Sequence, residues 1–164
     1  MPVRKGLFSA FYVVRSRCAE RNWHTDYDFG VGVDAFTLIT PLQDYTEQDS
    51  FQLSYVSVDG NGDGDVADEA CWRRYVYSKG RAIAFGDRFT HSTEPGVGHD
   101  GQQHAYLCFT FGTADPSRWP AIAETLNSQS RVLAGSDGAM QLSGLGEFVA
   151  NHNAELPPGS PQRI

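Results

Sequence analysis

The chain reads as a mostly-β domain, a β-sandwich or jelly roll, with one or two helices near its C-terminal end. Three observations predict this. Short runs rich in aromatic and β-branched residues recur between Leu7 and Phe111, the residue types that suit a pleated, half-buried surface. The 17 glycines and 8 prolines supply the many turns such a fold needs. Beyond Gly112 the texture changes: Asp115-Pro116-Ser117 ahead of Trp119 has the form of a helix start, and Ala121 to Leu126 is helical in character.

Taken in order, Leu7 to Val14 forms a first strand, and the polar stretch Arg15 to Asn22 a strand end and turn. His24 and Asp26 lie on the next strand, interrupted by glycines at 30 and 32. Ala35 to Thr40 is a buried strand stopped by Pro41. Phe51 to Val58 alternates, with Phe51, Leu53 and Tyr55 on one face and Gln52 and Ser54 on the other. Strands follow at Cys71 to Tyr77, at Arg81 to Phe85 running into His91, and at His104 to Phe111. A second amphipathic piece, Leu142 to Val149, packs on the sheet. The domain spans 1–154, and the proline-rich residues 155–164 form a disordered or loosely docked tail.

At 164 residues, 40% of them hydrophobic, one domain can bury a core without staples. The formal charge of −7 argues against a nucleic-acid backbone or an anionic membrane as partner. Cys18, Cys71 and Cys108 are odd in number and contain no CxxC pair, which disfavours a disulfide framework or structural zinc and favours a reducing compartment. No apolar run is long enough to cross a bilayer. The expectation is a soluble, intracellular (cytoplasmic) protein acting on a small molecule or a peptide.

The chemistry concentrates at Trp23-His24-Thr25-Asp26. On a strand, residues two apart point to the same face, so His24 and Asp26 would present an imidazole nitrogen and a carboxylate oxygen side by side. His91, delivered by the strand Arg81 to Phe85, would complete two histidines and one carboxylate, the facial arrangement of non-haem Fe(II) oxygenases. His99, among glycines, and His104, opening a strand, are rival third ligands, and His152 near the tail is solvated; His91 has the more rigid base.

The pattern His24-x-Asp26 … His91, with YSKGRAIAFGDRFTHSTEPG leading into and past the distal histidine, resembles the 2-oxoglutarate/Fe(II)-dependent dioxygenases of the double-stranded β-helix (jelly-roll, cupin-like) fold. The similarity runs from Arg21 to Phe111. It implies Fe(II) held by His24, Asp26 and His91, with 2-oxoglutarate as cosubstrate and oxidation of a substrate C–H bond. Thr93 matches a position where family members place a hydroxyl near the cosubstrate. One departure follows. The family places an arginine a short way past the distal histidine to pair with the far carboxylate of 2-oxoglutarate. Here no arginine or lysine occurs between Arg88 and Arg118, and His104 aligns with that position if the loop from Gly96 to Gly101 is longer by two residues. Arg73, Arg74 and Arg81 are the alternative anchors, unless the cosubstrate is not 2-oxoglutarate.

Asp59-x-Asn61-x-Asp63-Gly64-Asp65 matches the first half of a calcium-binding EF-hand loop, but Ala70 stands where a bidentate glutamate is required. A calcium-stabilised hairpin and a solvated acidic turn are the two readings, the second being favoured. The aromatic residues Trp72, Tyr75, Tyr77, Phe85, Phe109 and Phe111 suit a sheet core or a pocket wall. Two alternatives to the oxygenase stay open: a non-catalytic β-sandwich binding module, calcium-stabilised through 59–65, and a degenerate or cupin-like metalloprotein that does not use 2-oxoglutarate.

Overall fold

A computed structural model describes residues 5–28, 30–57, 65–98, 103–135 and 137–157. In chain order its strands are β1 (Lys5–Arg15), β2 (Arg17–Cys18), β3 (Ala35–Pro41), β4 (Leu53–Val56), β5 (Trp72–Tyr75), β6 (Ile83–Phe85), β7 (His91–Thr93), β8 (Gly96–Val97), β9 (His104–Thr113), β10 (Val132–Ala134) and β11 (Met140–Leu142). Two helices follow the main strands, α1 (Trp119–Leu126) and α2 (Gly144–Glu155). The fold is the predicted jelly roll. One antiparallel sheet runs β1-β9-β3-β6 and a second β5-β4-β7, the latter extended by a single bridge from His91 to His24.

The inner faces of the two sheets meet in a cluster of Tyr45, Phe51, Leu53, Tyr77 and Tyr106, flanked by Val13 of β1 and Ile39 of β3. Strand β9 shows how alternation creates that face. His104, Tyr106, Cys108 and Thr110 point inward and are buried, while Leu107, Phe109 and Phe111 point outward and are half-buried. Phe109 and Phe111 therefore do not reach the space between the sheets. A second cluster joins Phe8, Tyr27, Val31 and Ala35 to Ile122 and Leu126 of α1, one helical turn apart. Pro120 sits in the first turn of α1, where its missing N–H costs nothing. Ser143 caps α2 by accepting from the Gly146 amide at 3.0 Å.

Four local expectations are revised. His24 and Asp26 do not share a regular strand: His24 forms one bridge and Asp26 lies in a bend. The polar face expected for Gln52 and Ser54 is buried. Gln52 is accommodated because both ends of its amide bind backbone, donating to the Thr46 carbonyl at 3.0 Å and accepting from the Tyr77 amide at 2.9 Å. Strand β4 begins only at Leu53, since Phe51 adopts a φ of 67°, incompatible with a pleated ladder. The short pairs β2–β8 and β10–β11 add strands to those expected from the sequence. Of the proposed calcium loop, Asp59, Asn61 and Asp63 lie outside the described residues. Asp65 accepts from the Ala67 amide at 2.8 Å. Glu155 closes α2, and residues 158–164 of the expected tail lie outside the described residues. No helix among the described residues is long and apolar enough to cross a membrane.

Candidate metal centre

The backbone brings the two histidines together before any side chain is considered. The His24 amide donates to the His91 carbonyl at 3.0 Å, and the His91 amide donates back to His24 at 2.9 Å. This is the hydrogen-bonded pair of an antiparallel ladder, which places both side chains on one face. The imidazole rings sit 4.5 Å apart, centroid to centroid.

Each ring is then oriented by a carbonyl two residues upstream. His24 Nδ1 lies 2.7 Å from the Asn22 oxygen, and His91 Nδ1 lies 3.0 Å from the Phe89 oxygen. A carbonyl can only accept, so both Nδ1 atoms donate, and in the neutral tautomer this leaves the lone pair on Nε2. Each Nε2 is 3.6 Å from the same atom, Asp26 Oδ1. The three ligand-type atoms all lie within 4.8 Å of one another. The bend at Asp26 has a purpose in this geometry: it swings the carboxylate over the space between the rings.

Asp26 is fixed in turn. Its Oδ2 accepts from the Thr37 hydroxyl at 2.6 Å, and the Tyr27 hydroxyl lies 3.1 Å from the same threonine oxygen. Gln129, just beyond α1, donates to the Asp26 carbonyl. One carboxylate oxygen is thus held from β3, which leaves Oδ1 directed at the histidines.

Burial separates the two rings. His91 is 5% exposed and packs against Phe85 and Phe89, whereas His24 is exposed. Burial lowers the His91 pKa from its ordinary value; the Asp26 charge and the Phe89 carbonyl oppose this less strongly. The ring is therefore neutral at neutral pH, the form that binds metal. Two imidazoles and one carboxylate with converging ligand atoms fit a divalent cation on one side and leave the other open.

A cavity of about 220 Å³ opens in front of the three side chains. Its walls include Arg15, Ile39, Leu53, Tyr77, Thr93 and Tyr106. Cys108 also faces it, but burial, followed by the Asp26 charge, pushes the thiol up to about 12. Its Sγ is not among the three converging ligand atoms.

The structure therefore brings His24, Asp26 and His91 together and sets Thr93 on the wall of the same cavity. His104 is elsewhere: its buried ring lies against Phe51 at 4.6 Å and Tyr45 at 4.9 Å, and it does not line the cavity. Arg74 is committed to Glu94, with contacts of 2.8 and 2.9 Å, and Arg73 to the carbonyls of Ala70 and Trp72. Arg81 is exposed. None of these three arginines lines the cavity. Sequence reasoning missed three contributors, Arg15, Thr37 and Gln129. The sequence signal for Arg15 was a charged residue ending a run of aromatic and β-branched residues.

No protein-family model matches the chain, and no curated protein matches it in sequence. Solved structures do. The non-haem monooxygenase ThoJ, in a nickel complex, is 16% identical over 68% of this chain and 45% of its own, with a TM-score of 0.50. HygX from Streptomyces hygroscopicus, solved with nickel and 2-oxoglutarate bound, is 10% identical over 66% of this chain and 58% of its own, at a TM-score of 0.52. AviO1 from Streptomyces viridochromogenes Tue57 is 22% identical over 66% of this chain and 51% of its own, at 0.51. The chain spans about half the length of the structures it matches. At these identities the likeness is one of fold.

Proposed function

We propose that the chain is a non-haem Fe(II) oxygenase that uses 2-oxoglutarate to oxidise a small-molecule or peptide substrate. The observation that carries this reading is the convergence of His24 Nε2, His91 Nε2 and Asp26 Oδ1 at the floor of a cavity. The fold shared with a non-haem monooxygenase, and with HygX solved with nickel and 2-oxoglutarate bound, supports it.

When bound, the ion supplies redox chemistry with dioxygen and the 2-oxo acid. The chain's own residues have other tasks. His24 and His91 offer lone pairs fixed by their Nδ1–H bonds to backbone, and Asp26 contributes the neutralising charge. Thr37 and Gln129 hold the Asp26 segment against rotation. Leu53, Ile39 and the buried rings of Tyr77 and Tyr106 keep water from the inner wall. Thr93 offers a hydroxyl to the 2-oxo acid from the strand that carries His91.

The test is anaerobic titration of metal-free protein with Fe(II), then with 2-oxoglutarate, following the visible charge-transfer band. His24→Ala and His91→Ala are run beside the wild type. The reading expects one iron per chain and a band that requires both histidines. Iron uptake without a band removes 2-oxoglutarate and leaves a metalloprotein. Absence of stoichiometric iron binding overturns the proposal.

A further inference from the structure

The cavity contains a charge that the metal centre does not use. Arg15 ends β1 and lines the same cavity as His24, Asp26 and His91. Among the described residues no carboxylate lies within ion-pair distance of it, although Arg74 and Arg118 both have acidic partners. Among the described residues it is the one arginine or lysine that lines the cavity. Its charge is felt by Tyr77 and Tyr106, on the wall between the sheets. A half-buried guanidinium without a counterion is costly, and an anionic ligand is the natural complement.

From this geometry we infer that Arg15 anchors the distal carboxylate of 2-oxoglutarate, replacing an arginine that the chain lacks past the distal histidine. The inference rests on the proposed function and names the residue that reads the cosubstrate. The β1–β9 register explains the substitution. Arg15 stands directly opposite His104, the residue at the position where the missing arginine was sought. With His104 packed against Phe51 and Tyr45, the cationic task passes to its cross-strand neighbour.

Charge balance favours a dicarboxylate. A divalent ion on two neutral imidazoles and one carboxylate retains one positive charge, and Arg15 adds a second. Two carboxylates neutralise both, whereas a monocarboxylic 2-oxo acid leaves the guanidinium unpaired. The planar fork can grip a carboxylate through two parallel N–H···O bonds, which a lysine cannot reproduce. The cavity, at about 220 Å³, is smaller than the roughly 300–1,000 Å³ of drug-sized sites and suits a short acid.

The experiment compares 2-oxoglutarate with 2-oxobutanoate, which has the same 2-oxo acid head and no second carboxylate. Fe(II)-loaded wild type, Arg15→Ala and Arg15→Lys are titrated anaerobically with each acid, and Fe(II) affinity is measured separately. Wild type is expected to prefer 2-oxoglutarate by about 10- to 100-fold, the worth of a charge-assisted hydrogen-bond pair. Arg15→Ala should lose that preference while keeping its Fe(II) affinity and its binding of 2-oxobutanoate; Arg15→Lys should fall between. If Arg15→Ala still prefers 2-oxoglutarate, or binds both acids equally worse than wild type, the anchoring role is overturned and the oxygenase reading stands. If wild type takes up iron but neither acid, the cosubstrate reading fails and this inference falls with it.

Discussion

Thr37 sets the position of Asp26 more than any residue in the local sequence around it. Its hydroxyl donates to Asp26 Oδ2 at 2.6 Å from a fully buried site on β3. Thr37→Val preserves shape and strand propensity and removes that donor together with the contact to the buried Tyr27 hydroxyl. The expected outcome is about a 10-fold or greater loss of Fe(II) affinity, as for other partners of metal ligands, with a loss of stability of about 1–3 kcal/mol from the buried groups left unpaired. A chelator-competition titration checks it, and unchanged affinity would show that Asp26 is held without Thr37. The sequence could not have singled out this threonine, because within Ala35-Phe36-Thr37-Leu38-Ile39 it reads as one more β-former. His24, Asp26 and His91 were legible for the opposite reason. Histidines and carboxylates at that spacing have chemistry of their own, whereas the tautomers that aim them depend on the carbonyls of Asn22 and Phe89.

At the scale of elements, β9 is the spine of the larger sheet, pairing with β1 on one side and β3 on the other. Near its end, Gly112 faces Ala35 so closely that a Cβ there would stand 1.8 Å from the Asp34 carbonyl oxygen. That neighbour is backbone and cannot rotate away. Gly112→Ala should therefore destabilise by at least ~2 kcal/mol, or roughly 4–8 °C in Tm for a chain of this size. A thermal melt decides, and an unchanged Tm would mean the β3–β9 contact is looser than it looks. Long strands such as β1, β3 and β9 were readable from their runs of aromatic, β-branched and apolar residues. The pairs β2–β8 and β10–β11 were not, since two- and three-residue strands carry no period and exist only because a partner lies alongside. His104 illustrates the same limit: the sequence placed it at the start of a strand, but gave no sign that Tyr45 and Phe51 would occupy the space around it.

For the whole molecule, buried phenols make stability depend on alkaline pH. Burial raises the pKa values of Tyr27, Tyr77 and Tyr106, residues drawn from both core clusters. In the unfolded chain such groups ionise near 10. The sign follows: stability is fully present below about pH 10 and is lost as pH rises above it, because the unfolded state releases its protons first. Each tyrosine removes about 1.4 kcal/mol per pH unit, so the three together should remove about 4 kcal/mol by pH 11. Urea midpoints at pH 8 and pH 11, with absorbance at 295 nm to follow ionisation, test this; equal midpoints would refute it. The paired amides of His24 and His91 carry a last consequence at this scale. These residues are far apart in sequence, yet the bridge has already closed the loop between them. The entropy of closing that loop is thus offset by backbone pairing, and not by the side chains that would hold an ion.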